Sequence, residues 1–225
     1  EFLDFKENPM AENPDWDYVY SANNQPDSVA GIMYPGYYLP EDRGRRIVNL
    51  LESKNDWNRD SFSEMILDVT SPVAVENVKE LTTLLDYNLF TKNQQRAMDL
   101  LQLWQGSSEF EAIVPTIYQR FMYKYLEHTF KDELGEVLFD QLLKTHLIKR
   151  SIAIQLGNDE SIWWDDTSTK DQVETKKDIL NAAFIAAITA LEEQLGANIM
   201  HWQWSKVHTL EHNHALGTVE TLKPY

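Results

Sequence analysis

The sequence predicts a mainly α-helical chain with a few strands near its two ends. Between residues 40 and 200, apolar side chains recur three and four positions apart, which places them on one face of a helix. The first forty residues instead hold five of the 8 prolines and one aromatic, β-branched run. Hydrophobic residues make up 43% of the chain and charged residues 25%, close to globular averages, so a packed core is expected.

The first segment, residues 1–39, contains one strand candidate, Asp15–Ala22, which ends at the turn-forming pair Asn23 and Asn24. A strand needs a partner for its backbone hydrogen bonds. The rest of the chain offers almost no other strand candidates. We therefore expect its partner strands to lie outside this chain.

Helices are predicted along the second segment, residues 40–200. The first begins at Pro40, with Glu41 and Asp42 in the first turn, where the helix dipole favours acids. A capping-box pattern, S-x-x-E, predicts a second helix that begins at Ser61 and runs through Met65, Ile66 and Leu67. Further helical stretches are predicted over residues 75–85, 98–104, 113–125 and 140–148.

The longest predicted helix covers Asp171–Leu195. Thr169 is its expected N-cap, with Gln172 as the capping-box partner, and Gly196 is expected just past its end. The preceding residues 157–169 are polar and predict a loop.

Four histidines, beginning with His201, lie close together near the end of the chain. The stretch Trp202–Leu216 alternates aromatic, His and polar residues and is predicted to be extended. In a strand, His208, His212 and His214 would share one face, and three imidazoles on one face can hold zinc. No H-E-x-x-H spacing is present, so we prefer the alternative, a hydrogen-bonded terminal strand or loop.

Two acids, Asp165 and Asp166, lie close to Asp159 and Glu160 and carry the oxygen ligands that calcium prefers. The EF-hand pattern is absent. Acids just before a helix are usually caps of a solvated turn, which is the interpretation we prefer.

Paired tryptophans occur at Trp163 with Trp164 and at Trp202 with Trp204. Such pairs can form a shelf for a ligand. Aromatic side chains at this density more often belong to a core or a subunit interface.

Charge and composition exclude several classes of function. The chain has 20 Lys and Arg against 36 Asp and Glu, a net charge of −16. A surface this acidic repels nucleic acid and anionic lipid, and no apolar run reaches the roughly 20 residues of a membrane span. The absence of cysteine excludes disulfides, thiolate catalysis and Cys-ligated zinc. No Walker, Rossmann or G-x-S-x-G motif is present.

Several blocks of sequence, taken in order, carry a family resemblance. They are Asp17–Asn24 with Tyr37–Leu39, Asp42–Ile47, Trp164–Asp166 with Thr169 and Glu174, and Trp202–His208 with His214–Gly217. Their order and spacing over nearly the whole chain resemble the penicillin amidase (penicillin acylase) family. In that family a strand ends in an Asn-Asn pair, and a helix then opens with an Arg-rich sequence.

The resemblance implies an N-terminal-nucleophile hydrolase with an α+β fold whose core is a four-layered αββα stack of sheets. In this family a precursor cuts itself into two chains, and the new N-terminal Ser of the large chain attacks a linear amide with its own α-amine as base. The present chain resembles an internal part of the large chain and lacks that Ser. Residues 1–39 and 201–225 are expected at the core, and residues 40–200 in a helical region.

The expected partners are accordingly the small chain and the N-terminal part of the large chain, together with a small amide substrate such as an N-acyl compound or a β-lactam side chain. The present chain alone is expected to be inactive. The resemblance also implies a periplasmic or secreted enzyme, although no signal segment is visible in this chain.

Two site residues follow from the resemblance. Asn23 matches the family Asn whose side-chain amide donates to the oxyanion, and Arg43 matches the Arg near the nucleophile's amine and this Asn. The alternatives are a simple turn at Asn23 and, at Arg43, a solvated charge that pairs locally with Glu41 or Asp42.

The chain departs from the family pattern at Ser205, Ala215 and His212. No cofactor is expected to be required, and a structural calcium in the parent protein would have its ligands mostly outside this chain. Two alternatives stay open: a non-enzymatic acidic helical domain that binds a partner, and a His-ligated metalloprotein.

Overall fold

Seven α-helices make up most of residues 42–195 in a computed structural model, which describes residues 4–28, 31, 33–210, 219 and 221. Short 3₁₀ turns cover Phe5–Glu7, Tyr87–Leu89, Ile162–Trp164, Ile199–His201 and Trp204–Lys206. The mainly helical character predicted from the sequence is confirmed. The helices are α1 (Asp42–Leu51), α2 (Arg59–Ile66), α3 (Pro72–Thr83), α4 (Lys92–Leu103), α5 (Val114–Leu143), α6 (Leu147–Leu156) and α7 (Lys176–Leu195). Helix α5 is kinked at Gly135, whose φ is 67°.

Helices α5 and α7 pack along each other and form the centre of the core. The ring of Phe184 on α7 meets Phe121 of α5 edge-on, with centroids 5.1 Å apart. Phe90, which precedes α4, lies 4.9 Å from the same ring. Phe184 is fully buried, so α4, α5 and α7 share one apolar centre.

Helix α2 begins earlier than the sequence predicted. Its N-cap is Asn58, whose Oδ1 accepts from the backbone N–H of Ser61 at 3.0 Å, while the Ser61 hydroxyl accepts from the Asn58 N–H at 2.9 Å. Ser61 is therefore the third residue of the helix and not its cap. The S-x-x-E pattern was misleading because Asn is an equally good N-cap.

Helix α7 begins later than predicted, at Lys176 instead of Asp171. Its capping box is formed by Thr175 and Asp178, not by Thr169 and Gln172. The Thr169 hydroxyl instead donates to the Glu174 carboxylate at 3.0 Å, which closes the loop before the helix. Gly196 follows the helix with a φ of 84°, as predicted for its end.

The short helix predicted over residues 140–148 is divided between two helices. Helix α5 ends at Leu143, and α6 begins at Leu147. The Thr145 hydroxyl donates to the Leu142 carbonyl at 2.8 Å, which offers that carbonyl an alternative to the next helical N–H.

The predicted strand Asp15–Ala22 is not formed in the described residues. Asp17 has a φ of 62°, which breaks an extended run, and only an isolated bridge joins Asn24 to Leu39. The physical reason is the lack of a neighbouring strand, because backbone groups of a strand are stabilised only by a partner.

The prediction that Trp202–Leu216 is extended is wrong for its described part. Trp204–Lys206 forms a 3₁₀ turn, and the backbone N–H of Trp204 donates to the Ala112 carbonyl at 2.8 Å. Residues 211–216 lie outside the described residues.

No helix among the described residues is both long and apolar enough to cross a membrane.

Gly106 packs closely against the backbone of Ser71. Its carbonyl accepts from the Ser71 N–H at 3.0 Å, its φ is +84°, and a Cβ there would lie 2.4 Å from the Ser71 carbonyl oxygen. This contact joins the loop after α4 to the start of α3.

We predict that Gly106→Ala lowers the free energy of unfolding more than Gly196→Ala does. Both glycines have a φ of +84°, but a Cβ on Gly196 would meet nothing within 4 Å. Backbone strain alone costs about 1–3 kcal/mol, and overpacking adds about 1–3 kcal/mol at Gly106. Urea unfolding of both variants measures the difference, and equal losses would contradict the close contact at Gly106.

Candidate functional site

The structure brings Asn23 and Arg43 together. One guanidinium nitrogen of Arg43, Nη2, donates to the side-chain Oδ1 of Asn23 at 2.9 Å and to the backbone carbonyl of Ala22 at 2.9 Å. Both side chains belong to exposed residues. The pair predicted from sequence is thus a direct contact on the protein surface.

The contact with Arg43 determines which way the Asn23 amide faces. A guanidinium carries only donors, so the atom of Asn23 that meets it must be the oxygen. The amide nitrogen Nδ2 therefore points away from Arg43, and it makes no hydrogen bond to another described residue. Asn23 is left with a free N–H donor whose orientation is set by a charged neighbour.

Asn23 adopts a left-handed backbone conformation, with a φ of 60°. Asn tolerates this conformation better than most residues. Its carbonyl accepts from the Leu39 N–H at 2.7 Å, and the neighbouring Asn24 Oδ1 accepts from the Ala22 N–H at 3.3 Å. The turn is therefore held on both sides. Its positive φ is not unique in this segment, because Asn13 and Asp17 also have a positive φ.

Helix α1 carries Arg43 and approaches the turn closely through Gly44. Gly44 is buried, and a Cβ at that position would lie 3.4 Å from Cγ of Asn24 and 3.5 Å from the Tyr20 ring. A Cβ alone would thus be in ordinary van der Waals contact, and a side chain longer than that of alanine would meet the turn. The glycine inside the D-R-G-R-R run indicates that some segment packs closely against this helix, but the sequence does not indicate which one.

The carboxylate of Asp42 is engaged by helix α3 and not by Arg43. It accepts from the Ser71 hydroxyl at 2.9 Å and from the Val73 N–H at 3.3 Å. Arg43 bonds instead to the turn twenty residues earlier in the chain, so the alternative of a local pair with Asp42 is wrong.

Arg46, one turn further along α1, fixes the helix through an ion pair with Asp68. Nε donates to Oδ1 at 2.8 Å and Nη2 to Oδ2 at 2.5 Å, a two-pronged geometry that suits the guanidinium fork. The hydrogen bond from Arg46 is the main cause that lowers the pKa of Asp68, and the Thr70 backbone N–H lowers it further. The local sequence pattern does not indicate this pair, because the partners are 22 positions apart.

A cavity of about 190 Å³ lies beside Arg43 between α1 and α2. Ile47, Leu50 and Met65 contribute apolar surface to it. The site therefore combines a directed amide donor, a cation that holds it, and an adjacent apolar cavity.

The hypothesis that His208, His212 and His214 share one face stays untested, because only His208 lies among the described residues. The His208 ring stacks on Trp204 with centroids 4.5 Å apart, and His201 Nε2 lies 3.2 Å from the Asn198 amide nitrogen. His212 and His214 lie outside the described residues. Within residues 4–28, 31, 33–210, 219 and 221, no three His, Asp or Glu side chains are grouped as metal ligands.

Asp165 and Asp166 make the hydrogen bonds of capping residues. Asp165 Oδ1 accepts from the Glu174 N–H at 3.2 Å, and Asp166 Oδ1 accepts from the Ser168 N–H at 3.0 Å. This agrees with the interpretation of a capped turn.

The tryptophans divide between core and surface. Trp164 and Trp202 are buried, and their indole N–H groups donate to the carbonyls of Asn158 and Gly196 at 2.7 and 2.8 Å. These two are core residues, as preferred. Trp204 is only partly buried.

The chain as a whole is similar to known proteins. A family model described as penicillin amidase matches residues 1–224. The acyl-homoserine lactone acylase QuiP of Pseudomonas aeruginosa is 29% identical over an alignment of 226 residues including gaps. The alignment covers 90% of this chain and 26% of the relative. The protein of the same name from Pseudomonas fluorescens (strain Pf0-1) is 27% identical over 232 residues, 93% of this chain and 28% of the relative. The chain thus spans about a quarter of the length of these curated relatives.

We predict that Arg46→Gln reduces the loss of stability on acidification. Because Arg46 lowers the folded pKa of Asp68, the pair stabilises the fold above the unfolded pKa of about 3.9. That contribution is lost as the pH falls through the folded pKa. Urea unfolding between about pH 3 and pH 7 measures the slope, and the carboxyl NMR shift of Asp68 reports its pKa directly.

Arg45→Gln is the matched control. Arg45 pairs with Glu76 at the surface, where the two side chains are 40% and 55% exposed, so its removal should change the slope less. An unchanged Asp68 pKa in Arg46→Gln would contradict the assigned pairing.

Proposed function

Because the chain belongs to the penicillin amidase family, we propose that it is part of an amidohydrolase that cleaves linear, non-peptide amide bonds of N-acyl compounds. The nucleophile of this enzyme is an N-terminal Ser supplied by a part of the protein outside this chain. Asn23 and Arg43 are the residues that this chain contributes to the reaction.

The observation that carries the proposal is the pair of bonds from Arg43 to Asn23 and Ala22, both at 2.9 Å. The first holds the Asn23 amide oxygen and leaves the amide N–H free to donate, and the second fixes Arg43 on the backbone beside it. A donor that is fixed before the reaction begins does not have to reorganise when charge develops. Such donors are worth most at the oxyanion of a tetrahedral intermediate.

In the proposed mechanism the Ser hydroxyl attacks the amide carbonyl, and the proton passes to the α-amine of the same Ser. The carbonyl oxygen becomes an oxyanion, which Asn23 Nδ2–H stabilises with a hydrogen bond. Collapse of the intermediate expels the amine as the α-ammonium returns its proton to the nitrogen. Water then hydrolyses the acyl ester by the same sequence of proton transfers.

Arg43 acts as a positioning residue for Asn23 and as a source of positive field. Its guanidinium stays charged at all working pH values, so it cannot compete with the α-amine as a base. A cation near that amine disfavours protonation of the amine and lowers its pKa.

The names of two relatives support a class of substrate. Two proteins that this chain resembles are named acyl-homoserine lactone acylases, which indicates an acyl chain on an amide nitrogen. We propose N-acylated amines, acyl-homoserine lactones among them, as substrates in preference to a β-lactam side chain. The apolar surface beside Arg43 is consistent with an apolar group near the reacting amide.

The rest of the enzyme is proposed to provide the remaining parts. These are the small chain, the N-terminal part of the large chain, and the sheets that complete the αββα core. We propose a periplasmic or secreted location, as is general for the family.

We predict that Asn23→Ala in the matured enzyme lowers kcat by about 10²–10³ and changes KM little. The donor acts only where charge develops, so its loss belongs to the transition state. Steady-state kinetics with an N-acyl homoserine lactone measure both constants, after a gel has shown that the precursor was cut.

Asn13→Ala is the matched control for this variant. Asn13 also has a positive φ, 47°, so the same change is made in the same backbone conformation, away from Arg43. If matured Asn23→Ala keeps more than about a third of the wild-type kcat, far more than loss of such a donor allows, Asn23 is only a turn residue.

We predict that Arg43→Ala shifts the acid limb of the pH profile of kcat/KM to higher pH. Removing the cation raises the pKa of the α-amine, so a higher pH is needed to deprotonate the base. Rates measured between about pH 5 and pH 9 locate the limb. Arg45→Ala removes an equal charge that pairs with Glu76 instead, and an equal shift in that control would contradict a local effect of Arg43.

A further inference from the structure

A second cavity, of about 210 Å³, lies between α5, α7 and residues 204–207. The elements that form it are different from those that hold Asn23 and Arg43. Leu191, Tyr123, Trp204 and Val207 contribute apolar and aromatic surface to its wall. None of these residues has a role in the proposed reaction.

The aromatic side of the cavity is held in place by backbone contacts. The Trp204 N–H donates to the Ala112 carbonyl at 2.8 Å, and the Ser205 N–H donates to the Phe110 carbonyl at 2.9 Å. The His208 ring stacks almost parallel on the Trp204 ring, at 11° with centroids 4.5 Å apart. The Trp204 indole is therefore a fixed wall that remains partly exposed.

Arg120 is the one ionised residue among the described residues that line this cavity. It is partly buried, and its Nη2 donates to the neutral side-chain oxygen of Gln194. It forms no ion pair with a described carboxylate, although the chain has 36 acids and 20 bases. A partly buried cation that is held by a neutral partner retains its attraction for an anion.

Thr116 adds a polar group to the same wall. It is 3% exposed, and its hydroxyl has no hydrogen-bond partner among the described residues. Buried hydroxyls are normally paired, so Thr116 is an unpaired polar group beside the cavity, although its oxygen is itself covered.

We propose that this cavity binds a small organic carboxylate with an aromatic ring or a short apolar body. Arg120 would pair with the carboxylate, for which the guanidinium fork is well suited. Trp204, Tyr123 and Leu191 would cover the apolar part. A single cation matches one negative charge, which favours a carboxylate over a phosphate dianion.

The volume agrees with a ligand of this size. The cavity of about 210 Å³ is many times the roughly 10–15 Å³ that a single water needs, which leaves room for one ring and a carboxylate. Binding in this cavity is separate from the proposed hydrolysis, so it can be tested without measuring an enzymatic reaction.

Isothermal titration of the 225-residue chain with phenylacetate tests the proposal. We expect saturable binding with a Kd in about the millimolar range, as is usual for a ligand of this size. Phenylacetamide, which lacks the charge, and acetate, which lacks the ring, should each bind at least about tenfold more weakly.

Three variants assign the binding to this cavity. Arg120→Gln should weaken phenylacetate binding about tenfold to a hundredfold, and Val207→Trp should abolish it by filling the cavity. Arg96→Gln is the control, because Arg96 is exposed and its Nη2 lies 3.5 Å from the Met200 sulfur, away from the cavity. Circular dichroism checks that each variant is folded. If Arg120→Gln does not fold, Val207→Trp still tests whether phenylacetate binds in this cavity.

Absence of saturable phenylacetate binding to the wild-type chain would overturn the proposal. So would binding that phenylacetamide matches, or binding that survives both Arg120→Gln and Val207→Trp.

Discussion

The burial of helix α7 is the constraint on which the rest of the structure depends. Ala183 and Ala187 are fully buried on this helix, and their small side chains allow α5 to approach closely along its length. The Phe184 ring then fills the space between α4 and α5. One polar residue, Asn181, is buried in the same helix, and it bonds to the Asp86 N–H at 2.8 Å and to the Leu84 carbonyl at 3.2 Å. These bonds join the end of α3 to α7.

Helix positions could be predicted from the sequence where an apolar stripe faces this core, and helix ends could not. The stripe that begins at Ile179 correctly indicated α7 as far as Leu195. Its start was misplaced because Thr169 and Thr175 are both acceptable caps, and only the bond from Thr169 to Glu174 decides between them. This bond spans only five residues, but the apolar stripe carries no information about it, and such cap geometry sets the end of a helix.

The candidate site shows a similar division. The family resemblance pointed to Asn23 and Arg43, and the structure places them in contact, but their catalytic roles stay predictions. What sequence could not supply was the orientation of the Asn23 amide and the closeness of α1 to the turn. Both depend on pairs about twenty residues apart, such as Arg43 with Ala22 and Gly44 with Asn24.

The segment that carries Asn23 is held to the helices by side chains more than by backbone pairing. Tyr18 donates its hydroxyl to Glu52 at 2.9 Å, and Arg43 donates to the Ala22 carbonyl. Trp16 and Val19 on this segment are 57% and 66% exposed. Exposed apolar side chains on a segment with incompletely paired backbone groups are suited to joining a sheet. If strands from the longer protein flank residues 15–22, the ladder would hold the backbone up to Ala22 while Arg43 holds the side chain just beyond it. The proposed donor would then be fixed from both sides, with its amide N–H left free for the reaction.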